Sequence, residues 1–409
     1  MTNLLFITWD GPQTSYMEGL FMPIFQEIAK NEQVNFHVMQ FTWADQQKID
    51  HTKKIAEQMN IQYSSVPISR KPNASIGSLI TVFISANKIK KYIKENKIDI
   101  VMPRSTFPAM MVNQILGEGK VPFRGFRGNY KLIFDADGLP IGERIDFAGL
   151  KRNSFQYRLM KSAETKMLKN ADAVITRSQK AIEIHLKSIG EEYREKFSVV
   201  FNGRDQNKFK WSNSARAEAR KKLGLDTEFV FVYAGSLGPQ YCFAEMLEIF
   251  ANHLKNKKSK FLILTGNIDF AKQHLPKELQ SEIILKSVTS DEVPFYLGAA
   301  DLAFALRQPS FSMQGVAPIK LGEYLLCGLP VIASKGIGDT ETILEQFKEC
   351  YLYNHENSLP EQNTSLLAFA ENAIFADRNK IRETAQQFFS LEAAAESYIR
   401  VLEKLNNEK

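Results

Sequence analysis

The chain has 409 residues, of which 44% are hydrophobic and 24% charged, and carries a net charge of +6. That length exceeds what one hydrophobic core supports, so two domains of about 200 residues each are expected, and the balanced composition excludes a disordered, fibrous or repeat protein. The charge is uneven: residues 1–200 hold 28 Lys and Arg against 20 Asp and Glu, residues 51–200 hold 26 against 14, and the rest of the chain stands at −2. A basic first half suits an anionic substrate or the negative leaflet of a membrane, and equally a plain solvated face. No aromatic-plus-glycine RNA signature or compact basic arm is visible, so no nucleic-acid partner is expected. The opening stretch MTNLLFITWDGP lacks a basic lead and its apolar run ends at Trp9, too short for a signal peptide or a membrane span. Cys242, Cys327 and Cys350 are widely spaced in apolar company, which fits free thiols in a reducing compartment. The expected location is the cytoplasm, either free or at the inner face of the cell membrane.

In chain order, Leu4 to Thr8 reads as a strand, Trp9 to Tyr16 as a loop with Gly11 and Pro12, and Met17 to Lys30 as a helix. Asn35 to Phe41 is a second strand, Ile49 to Met59 a helix, and Ile76 to Asn96 a long helix with a basic outer side. Ile98 to Met102 is a buried strand that ends in Pro103-Arg104-Ser105-Thr106, a polar cluster where open parallel sheets bind ligands. Arg104 either holds an anionic or hydroxylated substrate or pairs with a nearby carboxylate. The strand Lys131 to Phe134 delivers Asp135 to Glu143 into a loop containing an Asp-x-Asp pair, a pattern able to hold a divalent ion. Phe155 to Lys169 is an amphipathic helix and Ala171 to Ser178 a strand and turn, with Ser178 placed to cap the next helix. Phe197 to Phe201 is a further strand, closed by the turn Asn202-Gly203-Arg204-Asp205.

The pattern then restarts. Phe229 to Ala234 is a strand, Gly235-Ser236-Leu237-Gly238 a glycine loop, and Phe243 to Leu254 a helix, an arrangement that can cradle an anion at backbone N–H groups. Phe261 to Leu264, Ile283 to Leu285 and Leu302 to Leu306 read as strands, the last leading to Arg307. Lys320 and Glu323, at i and i+3, share a face of a helix starting near Pro318, which stops at Cys327-Gly328 before a strand over Leu329 to Ala333. Such a pair is often an ordinary surface ion pair. At the carboxyl edge of a parallel sheet it can instead hold a diphosphate and the ribose beside it. Asp339 reads as a helix cap and Leu391 to Leu405 as the closing helix.

The string PIKLGEYLLCGLPVIAS, with ADAVITRS, VVFNG and VYAGSLG before it in that order, resembles the family 4 retaining glycosyltransferases of the GT-B fold, especially bacterial enzymes that build surface polysaccharides. The resemblance implies two doubly wound Rossmann-like α/β domains facing a cleft: 1–201 for the acceptor, 202–385 for a nucleotide sugar, and 386–409 as a helix returning to the first domain. It implies transfer of a hexose, with retention, from a nucleotide diphosphate sugar, a UDP-sugar first, to a hydroxyl of a glycan or lipid-linked acceptor in O-antigen, capsule or similar synthesis. No cofactor or metal is implied. Glu323 matches the family's second signature glutamate, which holds the donor ribose. Gly315 stands where the first glutamate belongs, leaving Ser312 or Gln314 to contact the donor sugar. The family's arginine and lysine clamp falls on Ser236 and Tyr241, so Arg307 and Lys320 are left to neutralise the diphosphate, with Gly235 and Gly238 lining it and Val288 at the base. Asp10, Gly11, Arg104 and Asp137 are the acceptor-side candidates, and Glu143 the group to steer the acceptor hydroxyl. The rival readings are a phosphorylase or epimerase of the same fold, for which no pyridoxal phosphate lysine is recognisable, and a binding or scaffold subunit without turnover, which the missing glutamate and clamp would favour.

Overall fold

The computed structural model describes residues 1–116 and 130–407. Contacts divide the chain into two units, Met1–Val200 with Ala394–Lys409, and Phe201–Ala393. The first unit contains β1 (Thr2–Asp10), α1 (Met22–Asn31), β2 (Val34–Thr42), α2 (Gln46–Gln58), β3 (Gln62–Pro67), α3 (Ala74–Glu95), β4 (Ile100–Pro103), α4 (Thr106–Ile115), β5 (Lys131–Asp135), α5 (Pro140–Ala148), α6 (Phe155–Asn170), β6 (Ala173–Thr176), α7 (Gln179–Ile189) and β7 (Phe197–Val199). The second contains α8 (Asn213–Leu223), β8 (Phe229–Ala234), α9 (Phe243–Leu254), β9 (Ser259–Leu264), α10 (Ile268–His274), β10 (Ile283–Lys286), α11 (Val293–Leu297), β11 (Leu302–Ala305), α12 (Ile319–Leu326), β12 (Val331–Ser334), α13 (Thr340–Leu344), β13 (Cys350–Tyr353), α14 (Leu359–Ala373) and α15 (Arg378–Phe389). The final helix, α16 (Leu391–Asn407), starts in the second unit and joins the first from Ala394.

Each unit is a parallel sheet covered on both faces, which is why its strands are nearly continuous apolar runs. In β1, Phe6 packs on Phe21 and Phe25 with ring centroids 4.9 and 5.1 Å apart, while Leu5 and Ile7 on the opposite face join Val82 and Ile89 of α3. The sheet orders are β3-β2-β1-β4-β5-β6-β7 and β10-β9-β8-β11-β12-β13. In each, the chain works outward from its first strand, then crosses back to that strand's other side. This creates a switch point between β1 and β4 in the first unit and between β8 and β11 in the second. Helices leave in opposite directions there and open a crevice at the carboxyl ends.

Among the elements the sequence reading missed are the strands β3 and β13 and the helices α4, α5 and α8. The strand β3 is half exposed at the sheet edge and mixes polar with apolar residues. The helix α4 is buried on nearly every side over Thr106 to Asn113, so it carries no amphipathic period to read. Two expectations were displaced: Glu143 lies on the first turn of α5, not in a loop, and Asp339 occupies the N-cap position of α13 without a side-chain cap bond. Ser178 does cap α7, its hydroxyl accepting from the Ala181 N–H, and Gly328 ends α12 at φ +66°. All three cysteines are free thiols.

Candidate functional site

In the second unit, the switch point brings the Gly235–Gly238 loop after β8 beside Arg307 after β11. Gly235 has φ +134°, reserved for glycine, and a side chain there would meet Lys320 Cε at 2.2 Å. The loop is pinned by the Gly235 N–H donating to Leu264 O at 2.8 Å and the Leu237 N–H donating to Asn267 Oδ1 at 3.0 Å. The loop does not run straight into α9, as a simple anion cradle would. A single 3-10 turn, Pro239–Tyr241, and Cys242 at φ +49° intervene.

That detour decides the chemistry, because it carries Tyr241 under the cations. Lys320, on the first turn of α12, donates from Nζ to the Tyr233 hydroxyl at 2.6 Å, and that hydroxyl donates to the Ser236 carbonyl. Its ammonium stands 4.4 Å from the Tyr233 ring centroid and 4.0 Å from that of Tyr241. Arg307 lies 5.1 Å from the same Tyr241 centroid, with its guanidinium 3.4 Å from Gln240 Oε1 and its backbone N–H donating to Ser334 Oγ at 2.8 Å. Two cations thus share one aromatic ring. Burial pushes the Lys320 amine well below the usual lysine range, Arg307 pushes it the same way, and Glu323 only partly opposes them. An arriving anion relieves this arrangement.

Glu323, one turn on, pairs with Arg204 Nη2 at 2.8 Å, so the expected ribose carboxylate is held from the Asn202-Gly203-Arg204 turn. Ser312, Gln314 and Gly315 form a 3-10 turn, Ser312–Gly315, in which Ser312 is fully buried with its hydroxyl 3.2 Å from that of Ser310, and Gln314 Nε2 donates to Phe311 O. Val288 is half-buried against the core in the loop after β10. On the far side of the glycine loop lies an apolar groove of 660 Å³ between α9 and α10, bounded by Gly238, Phe243, Phe270 and Gln308; neither Lys320 nor Arg307 lines it.

In the first unit, the switch point carries Asp10 at the end of β1 and Arg104 just after β4. Asp10 is buried and accepts from the Thr8 hydroxyl at 2.9 Å and from Gln40 Nε2 at 3.0 Å. Gly11 lies against Trp43, which a side chain would meet at 3.0 Å. Arg104 Nη2 contacts Asp137 Oδ2 at 2.5 Å, and Arg177 Nη2 contacts Asp135 Oδ2 at 2.7 Å. The Asp-x-Asp carboxylates therefore each face an arginine. Burial pushes the Asp135 carboxyl up and Arg177 partly offsets that. Burial also works against the Arg177 charge, which Asp135, together with Tyr398 and Asp137, more than restores. Ser105 and Asp137 both sit at positive φ, +66° and +57°, so strained backbone flanks this arginine. Glu143 is exposed on α5. Among the described residues, the group whose ligand atoms come within 4.8 Å of one another is Cys242, Glu245 and His355, and these could hold a metal.

Of the residues proposed from the sequence, the structure brings Lys320, Arg307, Glu323 and the glycine loop together in the second unit. Sequence reasoning missed Tyr233, whose place in the string FVFVYA reads as core, and it counted Tyr241 only as a lost lysine. It also missed Arg177 and Arg204, arginines beside turns with no local signal of a partner.

The fold is that of GT-B glycosyltransferases. Over 99% of this chain and 100% of that chain it is similar to Anabaena Alr3699/HepE in complex with UDP, at 18% identity and a TM-score of 0.69. It is likewise similar to WaaG, a glycosyltransferase involved in lipopolysaccharide biosynthesis, over 97% and 99% of the two chains at 16% identity and a TM-score of 0.67. The sucrose-phosphate synthase tll1590 from Thermosynechococcus elongatus is similar over 100% of both chains, at 14% identity and 0.69. Residues 215–388, which carry the Lys320 and Arg307 site, match the family described as Glycosyl transferases group 1. No curated protein matches the chain.

Proposed function

We propose that this protein is a retaining glycosyltransferase that moves a hexose from a nucleotide diphosphate sugar to a hydroxyl of a glycan or lipid-linked acceptor. The second unit takes the donor, and the Asp10, Arg104 and Asp137 cluster of the first unit serves the acceptor. The observation that carries this reading is the buried Lys320 packed with Arg307 on Tyr241 beside the Gly235–Gly238 loop, inside the segment matched by the glycosyltransferase family. Neighbours solved with UDP and with UDP-glucose support a UDP-sugar as the donor.

The chemistry needs no protein nucleophile. As the bond between the anomeric carbon and the diphosphate oxygen breaks, its electron pair goes to that oxygen, where Lys320 and Arg307 stabilise the charge in a site shielded from water. The acceptor oxygen attacks the same face of the carbon, and its proton passes to the leaving diphosphate. Glu323, positioned by Arg204, holds the ribose. The role in surface-polysaccharide synthesis rests on the resemblance of the signature string.

A panel of UDP, GDP, ADP and their sugars, with and without magnesium, tests the reading by thermal stabilisation of the purified protein. A donor at 100 times its dissociation constant contributes about 2.7 kcal/mol. UDP-sugar stabilisation lost in Lys320→Ala is the expected result, whereas no response to any nucleotide would overturn it.

A further inference from the structure

Where α9 starts, three side chains of metal-binding type converge from two separate stretches of the second unit. Cys242 occupies the N-cap position of α9, Glu245 stands three residues on, and His355 follows the end of β13. One ligand atom from each, a sulfur, a carboxylate oxygen and an imidazole nitrogen, lies within 4.8 Å of the other two. Cys242 is held at φ +49°, a conformation uncommon outside glycine. His355 is oriented on two sides: Ser334 Oγ stands 2.7 Å from its Nε2, and the Tyr353 ring meets the imidazole edge-on with centroids 4.8 Å apart. Glu245 is half-buried and has no basic partner among the described residues. Its charge acts on the Cys242 thiol and the His355 imidazole instead.

We infer that Cys242, Glu245 and His355 bind a zinc ion. A thiolate, a carboxylate and a neutral imidazole form a donor set that suits zinc, whereas magnesium and calcium take oxygen ligands. Metal–ligand lengths of about 2.0–2.3 Å put tetrahedral ligand atoms roughly 3.3–3.8 Å apart, so side-chain rotations of about 1 Å complete the site. The charges balance: on ligation the thiol releases its proton to solvent, and thiolate and carboxylate together neutralise the ion. In the metal-free chain burial, and after it Glu245, push the Cys242 thiol up to about 12, and a divalent ion between the two offsets both. An imidazole with one nitrogen hydrogen-bonded to Ser334 and the other on the metal is the usual arrangement of a ligating histidine. Cys242 and Glu245 also line the apolar groove between α9 and α10, through which the fourth coordination position reaches water. The ion joins the start of α9 to the end of β13. Tyr241 immediately precedes Cys242, and Ser334 also accepts from the Arg307 N–H, so the same ion steadies both sides of the Lys320 and Arg307 seat.

Zinc and cobalt titrations of tag-free, chelator-stripped full-length protein test this with no nucleotide present, so the outcome is separable from that of the glycosyltransferase reading. Wild type should take up a single zinc per chain and melt at a higher temperature with it. Cobalt in its place should give the near-ultraviolet charge-transfer band of a cobalt–thiolate bond. Cys242→Ser should abolish that band, whereas Cys350→Ser should keep it. Ser334→Ala leaves the three ligands in place but frees the imidazole, and should weaken zinc binding about tenfold. The wild-type cobalt spectrum requires no substitution, and melting without metal shows whether each variant is folded. The inference fails if wild type takes up no stoichiometric zinc, if cobalt binds without a thiolate band or keeps the band in Cys242→Ser, or if His355→Asn binds zinc as wild type does.

Discussion

Lys320 lies 4.0 Å from the centroid of the Tyr241 ring, and Arg307 shares that ring at 5.1 Å. An aromatic side chain thus stands in contact with both cations at the position where a basic clamp residue was expected. Its quadrupole attracts each cation, by about 2 kcal/mol at a desolvated site, without adding a third positive charge. Tyr241→Lys should therefore weaken UDP-sugar binding in this protein, because three cations would crowd one buried site. Titration calorimetry of the variant checks this, and tighter binding would sink it.

Nucleotide binding should take up protons. The Lys320 amine is pushed well below its ordinary value in the free protein, and a diphosphate beside it favours the ammonium. Between the depressed value and the ordinary one near 10.5, affinity should fall as pH rises. Calorimetry in buffers of different ionisation enthalpy reads the proton count directly, and an enthalpy independent of buffer would rule the linkage out.

The same displacement has a cost in stability. A lysine whose folded value lies below its unfolded one makes the unfolded chain bind more protons across that window, so stability rises with pH through it. Lys320→Met should raise the melting temperature near neutral pH, by about 2–4 °C for each kcal/mol recovered at this domain size, and flatten its pH dependence. The same variant should lose nucleotide stabilisation. A lower melting temperature at neutral pH would mean that the Tyr233 hydrogen bond outweighs the buried charge.

Gly235→Ala should abolish nucleotide stabilisation while costing about 1–3 kcal/mol in stability. Its φ of +134° resists any side chain, and the new methyl would drive Lys320 off Tyr233. Wild-type nucleotide binding by this variant would show that Lys320 has room elsewhere.

In the first unit, Asp135→Ala should cost about 3–5 kcal/mol by leaving Arg177 buried and uncompensated. Pairing it with Arg177→Met should restore much of the loss. Chemical denaturation followed by a probe in the first unit makes the comparison, and a double variant as unstable as the sum of the single ones would contradict the pairing.

The sequence by itself determined most of the scaffold. Apolar runs bounded by glycine and polar turns located β1, β2 and β4 to β12, because strands covered on both faces have little choice of residue type. It also located the glycine loop, Arg307, and the Lys320 and Glu323 pair, since each rests on local spacing along the chain. It could not find β3 or β13, whose edge positions relax the pattern, or α4, whose burial on nearly every side removes the period.

Only the tertiary structure decided what the charged residues do. Arg104 meets Asp137, Asp135 meets Arg177 and Glu323 meets Arg204 across separations of 33, 42 and 119 residues. Tyr233 and Tyr241 become a seat for Lys320 only because the β8 and β11 switch point brings the loop and α12 together. The depressed lysine follows from that burial and from Arg307, and neither is written in the string around Lys320. A side chain's charge state is set by what surrounds it in space, and spacing along the chain does not carry that information.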